Sequence, residues 1–465
     1  MSYNIPKNCS KEIFRAYDIR GIVGEYFDDD LVYAVGRGLG ALAQAKNQTA
    51  LYLGYDARPS SPGFKDAMAQ GLMDSGIDVI DIGIVPSPVL YYATKVGDTT
   101  SGVMITGSHN PSEYNGIKMV MDGHTLSSDD IADLYDAIQA RAFVEGQGSY
   151  RQEQIIDRYI SDIVSRITLK KPLKIVVDSG NGVAVQTAAK LYKQLGAEVI
   201  ELFGELDGTF PNHHPDPSIP ENLEDLIAAV KEHNADCGLA FDGDADRVGL
   251  ITETGEIIWP DRMMMLLAKD ILSRYPKAPV VFDVKCTHLL GQTITANGGQ
   301  PMMSKTGHSL IKNKMKEVDA PLAGELSGHI FYQDNWYGFD DGVYVGARLL
   351  ELIANSDAPV SALFSEFPLW EQTPELKVHC REDNKFQIVD DLIANFKAHP
   401  EKGELITIDG LRMTYEDGWF LVRASNTTPC LTIRFEANNQ DRLQALKDLV
   451  KTELLKVNSD LKISF

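Results

Sequence analysis

A serine and three aspartates, each close to the end of a short apolar run, have the residue types and spacing best suited to chemistry. The motif TGSHNP, residues 106–111, follows the run GVMIT. Gly107 allows the chain to bend and Pro111 prevents a simple helical continuation, so Ser108 is expected on a tight loop at the end of a strand. A nucleophilic serine and an ordinary solvated loop are both compatible with this motif alone.

The motif DGDADR, residues 242–247, has a carboxylate at every second position. In an extended loop Asp242, Asp244 and Asp246 point the same way, and their mutual repulsion favours a bound cation. Oxygen ligands suit Mg²⁺ or Ca²⁺. An EF-hand is disfavoured because its sixth position needs glycine where this chain has Arg247, and because CGLAF and VGLIT are typical of strands. A catalytic Mg²⁺ site is the preferred interpretation, with a solvated acidic turn as the alternative.

The motif GELSGH, residues 324–329, has groups that suit a sugar. Glu325 can accept hydrogen bonds from two vicinal hydroxyls, and Ser327 can donate or accept. A tight polar turn explains the motif equally well.

The motif RASNTTP, residues 423–429, follows the run WFLV. The guanidinium of Arg423 can bind a phosphate with two parallel hydrogen bonds. The loop also offers short donors, which are Ser425, Asn426, Thr427 and Thr428. The motif therefore predicts a phosphate-binding loop, with a hydrophilic hairpin loop as the alternative.

The net charge limits the kinds of partner this chain can have. Lys plus Arg is 44 and Asp plus Glu is 66, so the formal net charge is −22. Such a field repels nucleic acid and anionic membranes, and neither is expected as a partner. To bind a phosphorylated small molecule despite this charge, the protein needs a local group of cations and hydrogen-bond donors. The candidates for it beyond the motifs above are Tyr17, Arg20, Lys118, Lys285 and His308.

Three segments, beginning near residues 49, 173 and 278, follow one pattern. Each has an apolar run ending in an aspartate, then a helical stretch, a glycine and a second apolar run. The three aspartates are Asp56, Asp178 and Asp283. This order predicts a repeated βαβ unit, and therefore parallel strands covered by helices.

The chain changes character near residue 368. The turn pairs Asp409-Gly410 and Asp417-Gly418 separate short apolar runs, and leucines and valines then recur at helical spacing over 443–457. This predicts an antiparallel sheet closed by a helix. The predicted fold class is α/β, with three related α/β domains and a C-terminal α+β domain. The expected domains are residues 1–153, 154–254, 255–367 and 368–465.

The cysteines and apolar runs favour a cytoplasmic protein. Five cysteines at long spacings form no CxxC or zinc-finger pattern, so neither a disulfide framework nor a zinc site is expected. The first residues lack the apolar core of a signal peptide, and the longest apolar run, Met263–Ala268, is too short to span a membrane. A reducing cytoplasm is therefore the expected location.

The segments FRAYDIRG, TGSHNPSEYNGIK, DGDADR, GELSGH and RASNTTP, in this order between residues 14 and 429, resemble the α-D-phosphohexomutase superfamily. Within it the chain is most similar to the bacterial bifunctional phosphomannomutase/phosphoglucomutases. That group usually has methionine where Leu326 stands. Phosphoglucosamine mutases typically have glutamine there and a Gly-Thr-Glu-Pro phosphate loop.

The resemblance implies a heart-shaped fold with mixed, largely parallel sheets and one loop from each domain at a central cleft. It implies an isomerase that interconverts hexose 6-phosphate and hexose 1-phosphate, of mannose and also of glucose, for pathways such as GDP-mannose biosynthesis. Ser108 would be phosphorylated, Mg²⁺ would bind the three aspartates and a phosphoserine oxygen, and a hexose 1,6-bisphosphate would be intermediate and activator. A monomer is expected.

The resemblance also implies roles for individual residues. Support of the transferring phosphoryl group falls to Arg20, Lys118 and Arg247. The candidates for moving the hydroxyl proton are Lys118, His308 and His329. The second phosphate would be held by Arg423, Ser425, Asn426 and Thr427. The sugar would be held by Glu325 and Ser327. Further contacts to the substrate would come from Tyr17, Lys285, His308 and His329.

Three other functions are compatible with these motifs. A phosphoglucosamine mutase would act on an amino sugar, and a Mg²⁺-dependent phosphatase would hydrolyse the same phosphoserine. A protein that binds Ca²⁺ or a phosphosugar without catalysing a reaction is the alternative outside the enzymes.

Overall fold

The structure is a computed structural model that describes residues 3–398, 403–425 and 428–465. The chain forms two compact units. The first contains the residues up to Met263 together with Ser327–Phe364, and the second contains Met264–Leu326 together with the chain from Ser365.

The first unit begins with a seven-stranded mixed sheet. Its elements are β1 (Ile19–Ile22), α1 (Asp29–Ala45), β2 (Ala50–Tyr55), α2 (Ser61–Asp74), β3 (Asp78–Ile84), α3 (Ser87–Val96), β4 (Gly102–Ile105), β5 (Tyr114–Met121), β6 (His124–Thr125), α4 (Asp129–Gln139) and β7 (Tyr150–Gln152). The strand order is β1-β5-β4-β2-β3-β7, with β6 paired to β5. Helices α1 and α2 pack against each other, and their buried faces join the same apolar core as β2.

A five-stranded sheet follows in the same unit, in the order β12-β11-β10-β8-β9. Its elements are α5 (Ile156–Arg166), β8 (Lys174–Asp178), α6 (Ala188–Gln194), β9 (Glu198–Leu202), α7 (Glu224–Glu232), β10 (Cys237–Phe241), β11 (Val248–Thr252) and β12 (Ile257–Ile258). The segments CGLAF and VGLIT form β10 and β11, as predicted, and they pair antiparallel.

The chain from residue 260 to residue 365 contributes elements to both units. Its elements are α8 (Pro260–Arg274), β13 (Pro279–Asp283), α9 (His288–Ala296), β14 (Gln300–Ser304), α10 (His308–Glu317), β15 (Leu322–Gly324), β16 (Ile330–Tyr332), α11 (Gly342–Ala354) and α12 (Val360–Ser365). In the second unit β13 lies between β14 and β15 and is parallel to both. In the first unit α11 packs on β10, β11 and β16.

The C-terminal part of the second unit is an antiparallel sheet covered by two helices. Its elements are β17 (Glu371–Gln372), β18 (Leu376–His379), α13 (Lys385–Ala398), β19 (Glu404–Ile406), β20 (Leu411–Tyr415), β21 (Gly418–Ala424), β22 (Cys430–Ala437) and α14 (Gln440–Val457). The order is β17-β22-β21-β20-β19, with β18 also paired to β22. The predicted sheet and closing helix are confirmed. Helix α13 was not predicted from the sequence.

The predicted repeat is confirmed by strand order. In each repeat, three consecutive strands are parallel, and the first of them lies in the centre. The second strand pairs with one of its edges and the third strand pairs with the other. The three groups are β3-β2-β4, β9-β8-β10 and β14-β13-β15. The central strands β8 and β13 are almost wholly buried because helices cover both faces of a parallel sheet.

Each central strand leads into one of the three aspartates, all of which are buried. Asp56 accepts the Gly107 amide at 3.1 Å, and Asp178 accepts the Gly180 amide at 2.8 Å. Asp283 accepts the Thr306 hydroxyl at 2.9 Å. The repeated aspartate therefore fixes loops at the carboxyl end of each sheet. Among the helices of the described residues, none combines the length and the hydropathy needed to cross a membrane.

Candidate active site

Ser108 lies on the loop between β4 and β5 and is 2% exposed. Its φ is +49°, in the left-handed region that few residues other than glycine adopt. Its amide donates to the Thr106 hydroxyl at 2.8 Å. Its own hydroxyl donates to Asp242 Oδ2 at 3.1 Å and lies 3.2 Å from His109 Nδ1. The loop thus presents the serine oxygen to an aspartate and to an imidazole nitrogen.

The three predicted ligands Asp242, Asp244 and Asp246 lie together on the loop between β10 and β11. One carboxylate oxygen from each falls within 4.8 Å of the others, and all three residues are fully buried. Burial and the two neighbouring carboxylates raise the pKa of Asp242 well above its usual range. Asp244 Oδ1 is buried and has no hydrogen-bond partner among the described residues. An oxygen-only set with an unsatisfied oxygen fits a hard cation such as Mg²⁺.

Lys118, on β5, reaches the same carboxylates. Its ammonium lies 2.6 Å from Asp244 Oδ2 and also pairs with Asp246 Oδ2. Burial acts to lower the pKa of Lys118, but the two carboxylates outweigh it and hold that pKa well above its usual range. Lys118 is therefore charged and neutralises part of the aspartate cluster. We call Ser108, Lys118 and the three aspartates the serine site.

His329 contacts the serine site through its Nε2 atom, and one of the two contacts needs a proton on that atom whereas the other needs none. Its Nε2 lies 3.2 Å from Asp246 Oδ1, a contact that needs a proton on Nε2. Arg247 Nε donates to the same Nε2 at 3.2 Å, a contact that needs a lone pair there. The other ring nitrogen, Nδ1, lies 3.0 Å from the Ser327 hydroxyl. His329 is thus placed where a proton can be held or released.

Three further residues predicted for this region are Arg247, Arg20 and Tyr17. Arg247 Nε is 3.8 Å from Asp242 Oδ2. Arg20, on β1, donates to the side chains of Asp18 and Asn110, and Asn110 is on the same loop as Ser108. Tyr17 lies half-buried just before β1.

The second unit contains a different group of charges, formed by Lys285 and Arg423. Lys285 follows β13, and its ammonium lies 3.0 Å from Glu375 Oε2. Arg423, near the end of β21, has its Nε 3.1 Å from Asp409 Oδ2. Burial lowers the pKa of Lys285, but Glu375 and Asp283 outweigh it and raise that pKa. We call Lys285, Arg423, Glu325 and His308 the Lys–Arg site.

Glu325 binds the residue that precedes α10, and His308 begins that helix. Glu325 accepts the Gly307 amide at 2.5 Å and is 2% exposed. His308 is the first residue of α10 and is also buried. Ser425, two residues after Arg423 in the chain, has its hydroxyl 3.0 Å from that of Thr428.

Asn426 and Thr427 lie outside the described residues. The motif GELSGH is divided, because Glu325 belongs to the second unit and Ser327 and His329 belong to the first.

Four charged residues of these sites were missed by sequence reasoning. These residues are Arg58, Asp340, Glu375 and Asp409. Asp340 forms a second potential ligand group with Asp246 and His329. Asp409 is the first residue of the Asp409-Gly410 turn pair, and that pair was the available signal for it. Arg58 lies two residues after the repeated Asp56, and that aspartate was the available signal for it.

Comparisons with known proteins show which family the chain matches. Four domain descriptions of phosphoglucomutase/phosphomannomutase match in chain order. They are alpha/beta/alpha domain I over residues 11–145, domain II over 157–255, domain III over 259–369 and the C-terminal domain over 375–453.

Similar proteins match over nearly the whole length. A phosphomannomutase/phosphoglucomutase of Pseudomonas putida is 50% identical over 465 residues, 100% of each chain. A phosphoglucomutase of Neisseria meningitidis is 50% identical over 448 residues, 96% of this chain and 97% of that protein. A crystal structure of a phosphoglucomutase/phosphomannomutase family protein from Burkholderia thailandensis superimposes with a TM-score of 0.92 at 46% identity, covering 98% of this chain and 100% of the other. The chain therefore belongs to the phosphoglucomutase/phosphomannomutase family, within the α-D-phosphohexomutase superfamily.

Proposed function

We propose that this enzyme interconverts hexose 6-phosphate and hexose 1-phosphate, of mannose and of glucose, with Ser108 as the carrier of the phosphoryl group. The observation that carries this proposal is the 3.1 Å contact between the Ser108 hydroxyl and Asp242, within a buried cluster of three carboxylates. A hydroxyl held beside a cation-binding cluster is suited to phosphoryl transfer, which depends on positioning and on neutralisation of charge.

The reaction would proceed in two balanced transfers. In the first, the bond between phosphorus and the Ser108 oxygen breaks and a bond to the free sugar hydroxyl forms, and that hydroxyl loses its proton to a base. The product is a hexose 1,6-bisphosphate. In the second, the other phosphate of the bisphosphate returns to Ser108, and the proton returns to the sugar oxygen it leaves.

The contacts of His329 support it as the group that takes and returns this proton. Its Nε2 faces both a donor, Arg247, and an acceptor, Asp246. Lys118 is less suited to the role in its present contacts, because Asp244 and Asp246 hold its proton. His308, a third candidate, belongs to the Lys–Arg site.

Neutralisation of the transferring group would fall to fixed cations and a metal. Arg20, Lys118 and Arg247 would supply the fixed positive charge. Mg²⁺, when bound by Asp242, Asp244 and Asp246 with the phosphoserine oxygen, would supply the largest neutralising charge.

The Lys–Arg site would hold the parts of the substrate that do not react. Arg423 and Lys285 carry positive charge on buried side chains, which suits the second phosphate. The loop donors proposed to assist Arg423 are Ser425, Asn426 and Thr427. Glu325 and Ser327 would accept from sugar hydroxyls, and Tyr17 would add a further contact.

We further propose that the enzyme works in the cytoplasm as a monomer. All five cysteines, which lie within the described residues, are thiols and not disulfides, and this suits a reducing compartment. The formal net charge of −22 favours small-molecule substrates over nucleic acid or anionic lipid.

Intact mass spectrometry tests the central claim. Purified protein is measured before and after incubation with glucose 1,6-bisphosphate and Mg²⁺. We expect a gain of one phosphate group, mapped to Ser108, together with isomerisation of glucose and mannose phosphates. Protein that stays unphosphorylated at Ser108 and isomerises neither sugar would contradict the proposal.

A further inference from the structure

Arg58 is a buried arginine whose guanidinium binds the loop that carries Ser108. It lies three residues after the end of β2 and is 1% exposed. Its side chain donates to four backbone carbonyls of a single stretch of chain. The acceptors are the carbonyls of Ser108 at 2.8 Å, Asn110 at 2.6 Å, Pro111, and Tyr114 at 2.9 Å. One side chain thus fixes both halves of the turn.

Asp56 binds the same loop through a backbone amide. It accepts the Gly107 amide at 3.1 Å and pairs with Arg58 Nε at 3.1 Å. It also accepts the Ser61 hydroxyl at 2.5 Å. The residue before the nucleophile is therefore held by Asp56, and the nucleophile and the residues after it are held by Arg58.

The backbone of Ser108 needs this support because of its conformation. A φ of +49° is unfavourable for a residue with a side chain, and it persists only where surrounding contacts determine it. The Ser108 carbonyl, which Arg58 binds, is part of that backbone. A loss of this contact would let φ relax and would turn the hydroxyl away from Asp242.

The packing around Arg58 leaves little freedom for another arrangement. The centroid of the Phe210 ring lies 5.2 Å from the guanidinium carbon of Arg58. A Cβ on Gly107 would lie 2.4 Å from Arg58 Cζ, and one on Gly208 would lie 2.5 Å from Arg58 Cα. Burial lowers the pKa of Arg58, but an arginine stays charged at neutral pH.

We propose that Arg58 is a positioning residue for phosphoryl transfer, which holds Ser108 in the geometry that the transfer requires. This inference rests on the proposed function of Ser108. It assigns Arg58 no contact with the substrate, so its loss should slow transfer while substrate binding is kept.

Lysine is a suitable replacement for the test because it keeps the charge and loses the shape. A guanidinium offers five donors in a planar fork, whereas an ammonium offers three donors from one point. Lysine at position 58 therefore cannot reach the same four carbonyls.

Arg37 offers a matched control in the same α/β domain. It is also buried, and it donates to the Val144 carbonyl at 2.9 Å and to the Ser75 hydroxyl at 3.0 Å. It pairs with Glu145 at 2.7 Å. Arg37→Lys has the same chemistry as Arg58→Lys but leaves the Ser108 loop untouched.

The experiment compares wild type, Arg58→Lys and Arg37→Lys in the full chain. The readouts are the rate of Ser108 phosphorylation by glucose 1,6-bisphosphate, kcat, and KM for glucose 1-phosphate. For Arg58→Lys we expect kcat and the phosphorylation rate to fall by about 100-fold, with KM changed by less than about threefold. For Arg37→Lys we expect both rates to stay within about twofold of wild type.

Each outcome decides between the proposals. Equal rates in the two arginine variants, with wild type phosphorylated at Ser108, would overturn the role of Arg58 and leave the proposed function intact. A wild type that is never phosphorylated would overturn the proposed function itself, and the role of Arg58 with it.

Phe210→Leu provides a milder variant if Arg58→Lys does not fold. It removes the ring beside the guanidinium and keeps all the hydrogen-bonding groups. We expect a fall in kcat of about fivefold without a matching change in KM. An unchanged kcat in Phe210→Leu, where Arg58→Lys cannot be prepared, would also overturn the inference.

Discussion

The serine site crowds three buried carboxylates together, whereas the Lys–Arg site gives each of its two cations a carboxylate partner of its own. In the serine site, three carboxylates face Lys118 and Arg247, and Asp340 lies close by. In the Lys–Arg site, Lys285 contacts Glu375 and Arg423 contacts Asp409.

This difference indicates two modes of ligand binding. The serine site favours an added cation, because its three clustered carboxylates repel each other and Lys118 neutralises only part of their charge. The Lys–Arg site needs none, since its carboxylates hold the cations in place before an anion arrives. An arriving phosphate would then compete with Glu375 and Asp409 for donors that are already positioned.

The largest effect expected from this comparison is a separation of turnover from binding. Ser108→Ala removes the proposed phosphate carrier, so we expect kcat to fall by about 10⁴-fold while the Kd for glucose 1-phosphate changes by less than about threefold. Arg423→Ala removes a donor to phosphate, so we expect that Kd to rise by at least about tenfold. Steady-state kinetics and calorimetry measure both.

Asp409→Asn controls for the loss of the ion pair around Arg423. It keeps the guanidinium and weakens only its carboxylate partner, so binding should be kept. If Arg423→Ala left glucose 1-phosphate binding unchanged, the Lys–Arg site would not be the phosphate site, and the comparison would fail.

A smaller effect is expected from changes to the metal ligands. Asp244→Asn removes one charge from the cluster, and we expect the Kd for Mg²⁺ to rise by at least about tenfold, as measured by calorimetry. Asp340→Asn removes a nearby carboxylate that is not among the three predicted ligands and should have a weaker effect. An equal loss of Mg²⁺ affinity in both variants would show that the three aspartates do not form the metal site alone. Chelation of Mg²⁺ should stop turnover without weakening phosphate binding.

The smallest effect concerns the pH dependence of stability. Burial acts to raise the pKa of Glu375, but Lys285 outweighs it and lowers that pKa below its usual value of 4.5. A lowered folded-state pKa stabilises the protein above the unfolded-state value, and that stability is lost as the pH falls through the folded-state value. We expect the free energy of unfolding of wild type to exceed that of Glu375→Gln by about 1 kcal/mol or less at pH 7. The difference is small because the Glu375 side chain is 33% exposed, so solvent screens its charge.

Urea unfolding at several pH values measures this difference. The gap between wild type and Glu375→Gln should shrink as the pH falls below about 4.5. A gap that is constant from pH 7 to pH 3 would mean that the carboxylate charge does not stabilise Lys285.

The repeated units could be predicted from sequence because their signals are local. An apolar run ending in aspartate occurs three times, and each of Asp56, Asp178 and Asp283 proves to fix a loop at the end of its central strand. The alternation of carboxylates over residues 242–247 is equally local, and the structure brings these side chains together.

The partners of these residues could not be predicted because they lie far away in the chain. Glu375 meets Lys285 across 90 residues, and Arg58 meets the Ser108 carbonyl across 50 residues. Glu375 lies in no motif that marks it, and Arg58 is marked only by the repeated Asp56 two residues before it. Helix α13 did carry a local signal, because Ile388, Leu392 and Phe396 recur at helical spacing, but it was not predicted.

The left-handed backbone at Ser108 also restricts which amino acid can serve there. Threonine carries the same hydroxyl, but a residue branched at Cβ is a marked outlier at a φ of +49°. Cysteine has an unbranched Cβ and fits the backbone, but it presents sulfur in place of oxygen to the cation site. Of the three small side chains that could accept a phosphoryl group, this turn therefore favours serine alone, and the choice is made by the main chain.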